Sequence, residues 1–149
     1  MKNHRLAACL LLAVLCAPAR AGIQGAYFAV IVADADVAAG WYRSVFGLGV
    51  ANRMTEPDRY DIVILENEQL IVELLELEAA VERPEGRVTG LFKTGFLVDD
   101  LAAFAAALPD HVPPPDILDD ADNGLLLLQL RDPDGNIIQV MQHSGEAAP

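Results

Sequence analysis

The chain has 149 residues, 22 of them acidic and 10 basic, for a formal charge of −12, and just over half of it (53%) is apolar. A field of that sign repels phosphate backbones, which argues against nucleic acid as a partner and favours cationic ligands or plain solubility. The only two cysteines, Cys9 and Cys16, both fall in an N-terminal segment that is expected to be removed, so no disulfide, thiol nucleophile or thiolate metal ligand is expected in the mature protein.

That segment has the pattern of a secretory signal. Lys2 and Arg5 flank His4, an apolar run extends from Leu6 to Ala17, and Ala19-Arg20-Ala21 supplies a small-x-small cleavage site. The uncharged stretch of about a dozen residues falls short of the roughly 20 needed to span a bilayer, so no stable membrane insertion is expected after cleavage. Leu6-Ala7-Ala8-Cys9 has lipobox-like spacing, but almost no apolar segment precedes it. A cut after Ala21 leaves 128 of the 149 residues, the size of one domain, spanning 22–149. The cut also discards three cations and no acid, taking the charge from −12 to −15.

From there the spacing predicts a strand over Tyr27–Val32, then a helix capped by Asp34 with Ala38, Trp41, Tyr42 and Val45 on one face and Gly47-Leu48-Gly49 at its end. At helical spacing, Trp41 and Tyr42 are expected in the core rather than as a ligand platform. Strand-like runs follow over Val50–Thr55, Arg59–Leu65 and Gln69–Leu75, separated by turn residues. After a charged linker, Glu78 to Gly90, the order repeats. A strand over Leu91–Val98 leads to a cap at Asp100 and a helix presenting Leu101, Phe104, Ala105 and Leu108. Strands are then predicted over Val112–Leu118 and Leu125–Arg131, and Asp132-Pro133-Asp134-Gly135 turns the chain into a last strand, Asn136–Met141. Pro113-Pro114-Pro115 marks the sixth strand as an edge or irregular one. Val32 and Val98, Asp34 and Asp100, and Glu73 and Gln139 all lie 66 positions apart, which implies two similar modules, at about 26–77 and 91–142.

Five segments carry a family likeness: Val32-Ala33-Asp34-Ala35-Asp36, Trp41-Tyr42-Arg43-Ser44-Val45-Phe46-Gly47-Leu48, Val72-Glu73-Leu74-Leu75-Glu76, Val98-Asp99-Asp100-Leu101, and Asp132-Pro133-Asp134-Gly135-Asn136-Ile137-Ile138-Gln139. In that order the chain resembles the vicinal oxygen chelate superfamily, which includes glyoxalase I, extradiol dioxygenases and the fosfomycin and bleomycin resistance proteins. The resemblance implies an α+β fold, two βαβββ modules whose strands form a cup-shaped mixed sheet with helices on the outer face. It also implies a ligand site in the concavity and a homodimer. In metal-dependent relatives the first and last strands of each module supply the ligands, and those positions here are Tyr27, Glu73, Lys93 and Gln139.

Strand parity supports the same set independently. Side chains alternate between faces, so these four share a face with Ala29, Ile31, Ile71, Leu75, Gly95, Leu97, Ile137 and Met141, whereas Phe28, Val30, Val72, Leu74, Phe96, Val98, Ile138 and Val140 point the other way, under the helices. Only Glu73 is a good ligand for a divalent ion. Lys93 has no lone pair until it loses a proton, Gln139 offers a neutral carbonyl, and Tyr27 binds well only as phenolate. No metal and no other cofactor is therefore expected. In one arrangement the Lys93 ammonium stands where a metal would and pairs with Glu73, with Tyr27 and Gln139 completing the network; in the other, both reach solvent from the rim. Gln129 and Arg131 could extend the lining. His111 and His143 are expected in exposed loop and tail positions, outside the strands, and 116–122 as a solvated acidic loop.

These features favour an exported small-molecule-binding protein, periplasmic or secreted, similar in logic to the metal-independent bleomycin resistance proteins. The alternative is a lyase, isomerase or dioxygenase of the same superfamily, metal-dependent or using Glu73 as its catalytic base. A scaffold without a ligand would have a cup plugged by its own side chains.

Overall fold

The computed structural model describes residues 25–81 and 89–145; the expected signal segment and the middle of the charged linker lie outside the described residues. The first module runs β1 (Ala26–Val32), α1 (Ala35–Phe46), β2 (Gly49–Glu56), β3 (Tyr60–Glu66) and β4 (Leu70–Leu77). The second runs β5 (Lys93–Leu97), α2 (Leu101–Ala106), β6 (Leu118–Asp120), β7 (Leu125–Arg131) and β8 (Ile137–His143). The sheets have the same order, β1-β4-β3-β2 and β5-β8-β7-β6. In each, the first strand pairs parallel with the last, and the remaining pairs are antiparallel. Tyr27 lies opposite Ile71 and Lys93 opposite Ile137, so the 66-residue offset holds in the register itself.

Both helices begin as the sequence indicates. The Asp34 carboxylate accepts the Val37 N–H at 2.9 Å, and the Asp100 carboxylate accepts the Ala103 N–H at 2.8 Å, filling donors that a helix N-terminus leaves open. A second partner arrives from the last strand of each module: Glu76 Oε2 accepts the Ala35 N–H at 2.9 Å and Gln142 Oε1 accepts the Leu101 N–H at 2.8 Å. Glu76 and Gln142 are again 66 positions apart. At its other end α1 stops at Gly47, whose φ of 65° is left-handed, a conformation that glycine adopts without a Cβ penalty.

Two elements depart from expectation. The second helix ends at Ala106, leaving Leu108 of the expected apolar face beyond it, because Pro109 cannot continue a helix. The sixth strand is Leu118–Asp120 rather than Val112–Leu118. Three successive prolines contribute no N–H donors to a ladder, so pairing starts only after them. His143 is likewise not in a tail: it is the last residue of β8, opposite Leu125, and it is exposed.

The core lies on the helix side of the sheets. Val63, Leu65, Val72, Leu74, Leu128, Ile138 and Val140 are each no more than 2% exposed, as are Ala35, Ala38, Tyr42 and Leu101 on the helices. Trp41 and Tyr42 are both buried, as their spacing predicted. Rings join the modules there. Phe46 contacts Phe96 (centroids 5.4 Å apart) and Phe104 (6.2 Å), and Phe28 contacts Phe96 (5.9 Å). Polar bonds cross the same junction: Tyr42 Oη donates to Asp132 Oδ2 at 2.9 Å, and the Ala33 N–H donates to Asp134 Oδ1 at 3.1 Å.

Candidate functional site

Opposite the helices, the sheets leave a second face open. Tyr27 (61%), Ile31 (55%) and Leu97 (59%) are well exposed there, and they share strand parity with Glu73, Lys93 and Gln139, as alternation requires. This is the concave side on which the sequence places its four polar candidates.

The structure brings those four together as two pairs, one per module. Tyr27 Oη donates to Glu73 Oε2 across the β1–β4 ladder. At the positions 66 residues later, Lys93 Nζ donates to Gln139 Oε1 across the β5–β8 ladder. Each pair is built the same way, because the first-strand residue reaches diagonally past its parallel neighbour toward the next inward-facing residue of the last strand. The expected ion pair between Lys93 and Glu73 is not formed: among the described residues the ion pairs join Arg53 with Asp36 and Asp61, and Arg59 with Glu56. The reason is reach, since each last-strand residue finds a donor within its own sheet.

The two pairs differ in charge. A phenol on a carboxylate leaves the first module's pair negative, and an ammonium on an amide leaves the second positive. The carboxylate holds the Tyr27 hydroxyl above the usual phenol range, chiefly through the hydrogen bond itself, with desolvation and charge repulsion adding to it. Tyr27 should accordingly ionise at higher pH than free tyrosine, and Glu73→Gln should bring it back toward the ordinary range. Ultraviolet absorbance during an alkaline titration reads this directly; an unchanged Tyr27 titration in the variant would mean that the bond does not persist in solution.

Gln139 is the buried member of the set, 9% exposed. Its Oε1 also accepts from Gln129 Nε2 at 3.2 Å, and its Nε2 donates to Met141 Sδ at 3.0 Å. Gln129 therefore does extend the polar lining. Arg131 donates instead to the Gly135 carbonyl at 3.0 Å, closing the β7–β8 turn. His111 is exposed, with Nε2 at 3.5 Å from Ser44 Oγ, away from these pairs.

A divalent ion does not fit this donor set. One carboxylate is present and already accepts a phenol proton, the amide oxygen accepts from an ammonium, and that ammonium would repel a metal held beside it. Among the described residues no group of three or more His, Cys, Asp or Glu could hold a metal ion.

Sequence reasoning missed Asp132 as anything beyond a turn residue. It is 5% exposed and accepts four hydrogen bonds: from Tyr42 Oη, the Asp134 and Asn136 N–H groups, and Asn136 Nδ2, at 2.7 to 3.1 Å. Its reach to Tyr42, 90 positions away, left no local signal. The capping role of Glu76 and Gln142 could have been found, because they repeat the offset that relates Asp34 to Asp100.

Comparison with known proteins agrees with this architecture. The family model described as Glyoxalase/Bleomycin resistance protein/Dioxygenase superfamily matches residues 25–140. Among solved structures, the trypanothione-dependent glyoxalase I of Leishmania major superposes with a TM-score of 0.60 at 21% identity, over 82% of this chain and 86% of that one. Glyoxalase I from Zea mays gives 0.63 at 20% identity, over 80% of this chain and 44% of that one. TioX from Micromonospora sp. ML1 gives 0.57 at 19% identity, over 80% and 98%. No curated protein matches in sequence. At these identities the structural likenesses establish the fold, while the family match extends over both modules, and the chain belongs to the glyoxalase/bleomycin resistance protein/dioxygenase superfamily.

Proposed function

We propose that this chain is an exported protein, periplasmic or secreted, that binds a small molecule in the concavity of its sheets without the divalent metal used by many of its relatives, and that it works as a homodimer. One observation carries the reading: the four positions that would ligate a metal are occupied by Tyr27, Glu73, Lys93 and Gln139, bonded to each other in pairs. On the same face by strand parity, Tyr27, Ile31 and Leu97 are exposed apolar surface, which supports a ligand over a bare scaffold. The signal-like N-terminus supports export.

Metal analysis of the purified protein, with a thermal-shift screen of cationic and planar small molecules, tests the proposal. The expected result is substoichiometric zinc, manganese, iron and nickel, together with ligands that raise the melting temperature by binding the folded state. Stoichiometric metal that supports turnover would overturn it in favour of a metal-dependent enzyme. Turnover without metal that is lost in Glu73→Gln would favour a lyase or isomerase using Glu73 as base.

A further inference from the structure

We infer that the second module holds a built site for the anionic head of the ligand, with Lys93 as its counter-ion, so that the class bound is a carboxylate on an apolar body. This rests on the binding reading above and names its ligand chemistry.

The cations of the described residues are mostly committed. Arg53 is held by Asp36 and Asp61, Arg59 by Glu56, and Arg131 by a backbone carbonyl. Arg43, exposed on α1, forms no ion pair either; Lys93 differs in that its head is held by the neutral amide of Gln139 while it pairs with no described carboxylate. In a chain with 22 acidic residues, such a lysine is set apart by its surroundings. An ammonium has three donors, and one is used here.

Those surroundings are shaped for an occupant. A cavity of about 70 Å³ opens in the gap between the first strands of the two modules, lined by Ala29, Lys93 and Ile137, which share the parity of the open face, and by Phe28, Val30 and Tyr42, which belong to the helix side. Its walls mix apolar side chains with polar groups, and Lys93 is itself exposed, so an incoming anion reaches the ammonium from solvent. Its size matters too: a cavity of about 150 Å³ accommodates a benzene ring, so this one takes a head group while the rest of the ligand lies outside. Exposed Leu97, Ile31 and Tyr27 on the concave face offer apolar surface for that remainder.

The head of Lys93 is also aimed. Gln139 is nearly buried, and its amide is oriented by Gln129 on one side and Met141 on the other. The next inward-facing residue after Lys93 is Gly95, where a Cβ would sit 3.0 Å from the Gln139 carbonyl and 3.4 Å from Met141 Cε, so the floor beside the ammonium stays clear. At the corresponding place in the first module the pair is Tyr27 with Glu73, which carries negative charge and repels the same group. Duplication of the fold therefore gives one anion site per chain, not two.

The test uses three near-isosteric probes, benzoate, benzamide and benzamidine, titrated calorimetrically into the purified protein and into its Lys93→Met and Lys93→Arg variants, with melting curves to confirm folding. Benzoate is expected to bind once per chain, and to bind about fivefold more tightly than benzamide, the upper range for an exposed ion pair. Lys93→Met should abolish that preference and Lys93→Arg should retain it. Benzamidine binding tightest, benzamide equalling benzoate, a preference that survives Lys93→Met, or no binding of benzoate would each overturn the anion site. Binding of benzamide or benzamidine would in those cases leave the small-molecule reading standing, whereas that reading fails separately on stoichiometric, turnover-supporting metal. If Lys93→Met does not fold, Lys93→Gln takes its place with the same expectations.

Discussion

Asp132→Ala is expected to cost about 3 kcal/mol or more of folding stability, the upper end for a hydrogen bond to a charged group, because several such bonds are lost together. The substitution strips four hydrogen bonds at once. It leaves the Tyr42 hydroxyl buried without its acceptor and the Asp134 and Asn136 N–H groups without theirs, and one of the polar ties between the modules goes with them. Urea denaturation followed by the fluorescence of Trp41, the single tryptophan, measures the loss, since its ring lies edge-on to Tyr42 at 4.9 Å. Tyr42→Phe is the control. It removes one donor of four and should cost about 1.5–3 kcal/mol. Equal costs for the two variants would mean that the turn bonds around Asp132 contribute nothing.

The same contact gives the protein an alkaline limit. Burial first, then the Asp132 charge, pushes the Tyr42 hydroxyl well above the ordinary phenol range. A raised folded value means that the folded state keeps a proton which the unfolded chain releases. The stabilisation is therefore complete below about pH 10 and declines as pH climbs from there toward the folded value. Tyr42→Phe should flatten that decline, and a variant whose alkaline decline matches the parent would contradict the assignment.

Phe46→Ala is the second large effect, expected at about 3 kcal/mol, the low end for truncating a core phenylalanine because Phe46 keeps some exposure. Its position makes it more than one ring among several. Phe46 meets Trp41 (5.9 Å) and Tyr42 (6.1 Å) of its own helix, and Phe96 and Phe104 of the other module. Removing it takes out two of the three ring contacts between the modules among the described residues, leaving Phe28 on Phe96, so unfolding should lose cooperativity as well as midpoint. Denaturation read by Trp41 fluorescence and by far-ultraviolet circular dichroism should then no longer coincide. Coincident curves would show that the remaining contacts couple the modules without it.

The pattern of elements was legible because its signals are local. Asp34 and Asp100 mark helix starts, Gly47 marks a helix end, and Asp132-Pro133-Asp134-Gly135 marks a turn, each acting over three or four residues. Strand alternation separated Glu73 and Gln139 from the buried Val72, Leu74, Ile138 and Val140 without any knowledge of the fold. Where local signals conflicted, the reading failed: Leu108 fits a helical face but precedes Pro109, and the apolar letters around Pro113-Pro114-Pro115 suggest a strand that lacks donors to pair.

The amino-acid order by itself determined a duplicated α+β chain and the four polar side chains that share one face of its sheets, since periodicity and a 66-residue offset are properties of sequence alone. Which of those side chains bond to each other was decided only by tertiary structure. Lys93 takes Gln139 rather than Glu73, and Tyr27 takes Glu73, because partners across a ladder are set by register and reach. Asp132 meets Tyr42 for a like reason: the packing of one module on the other brings together residues 90 positions apart, and no local pattern encodes that distance.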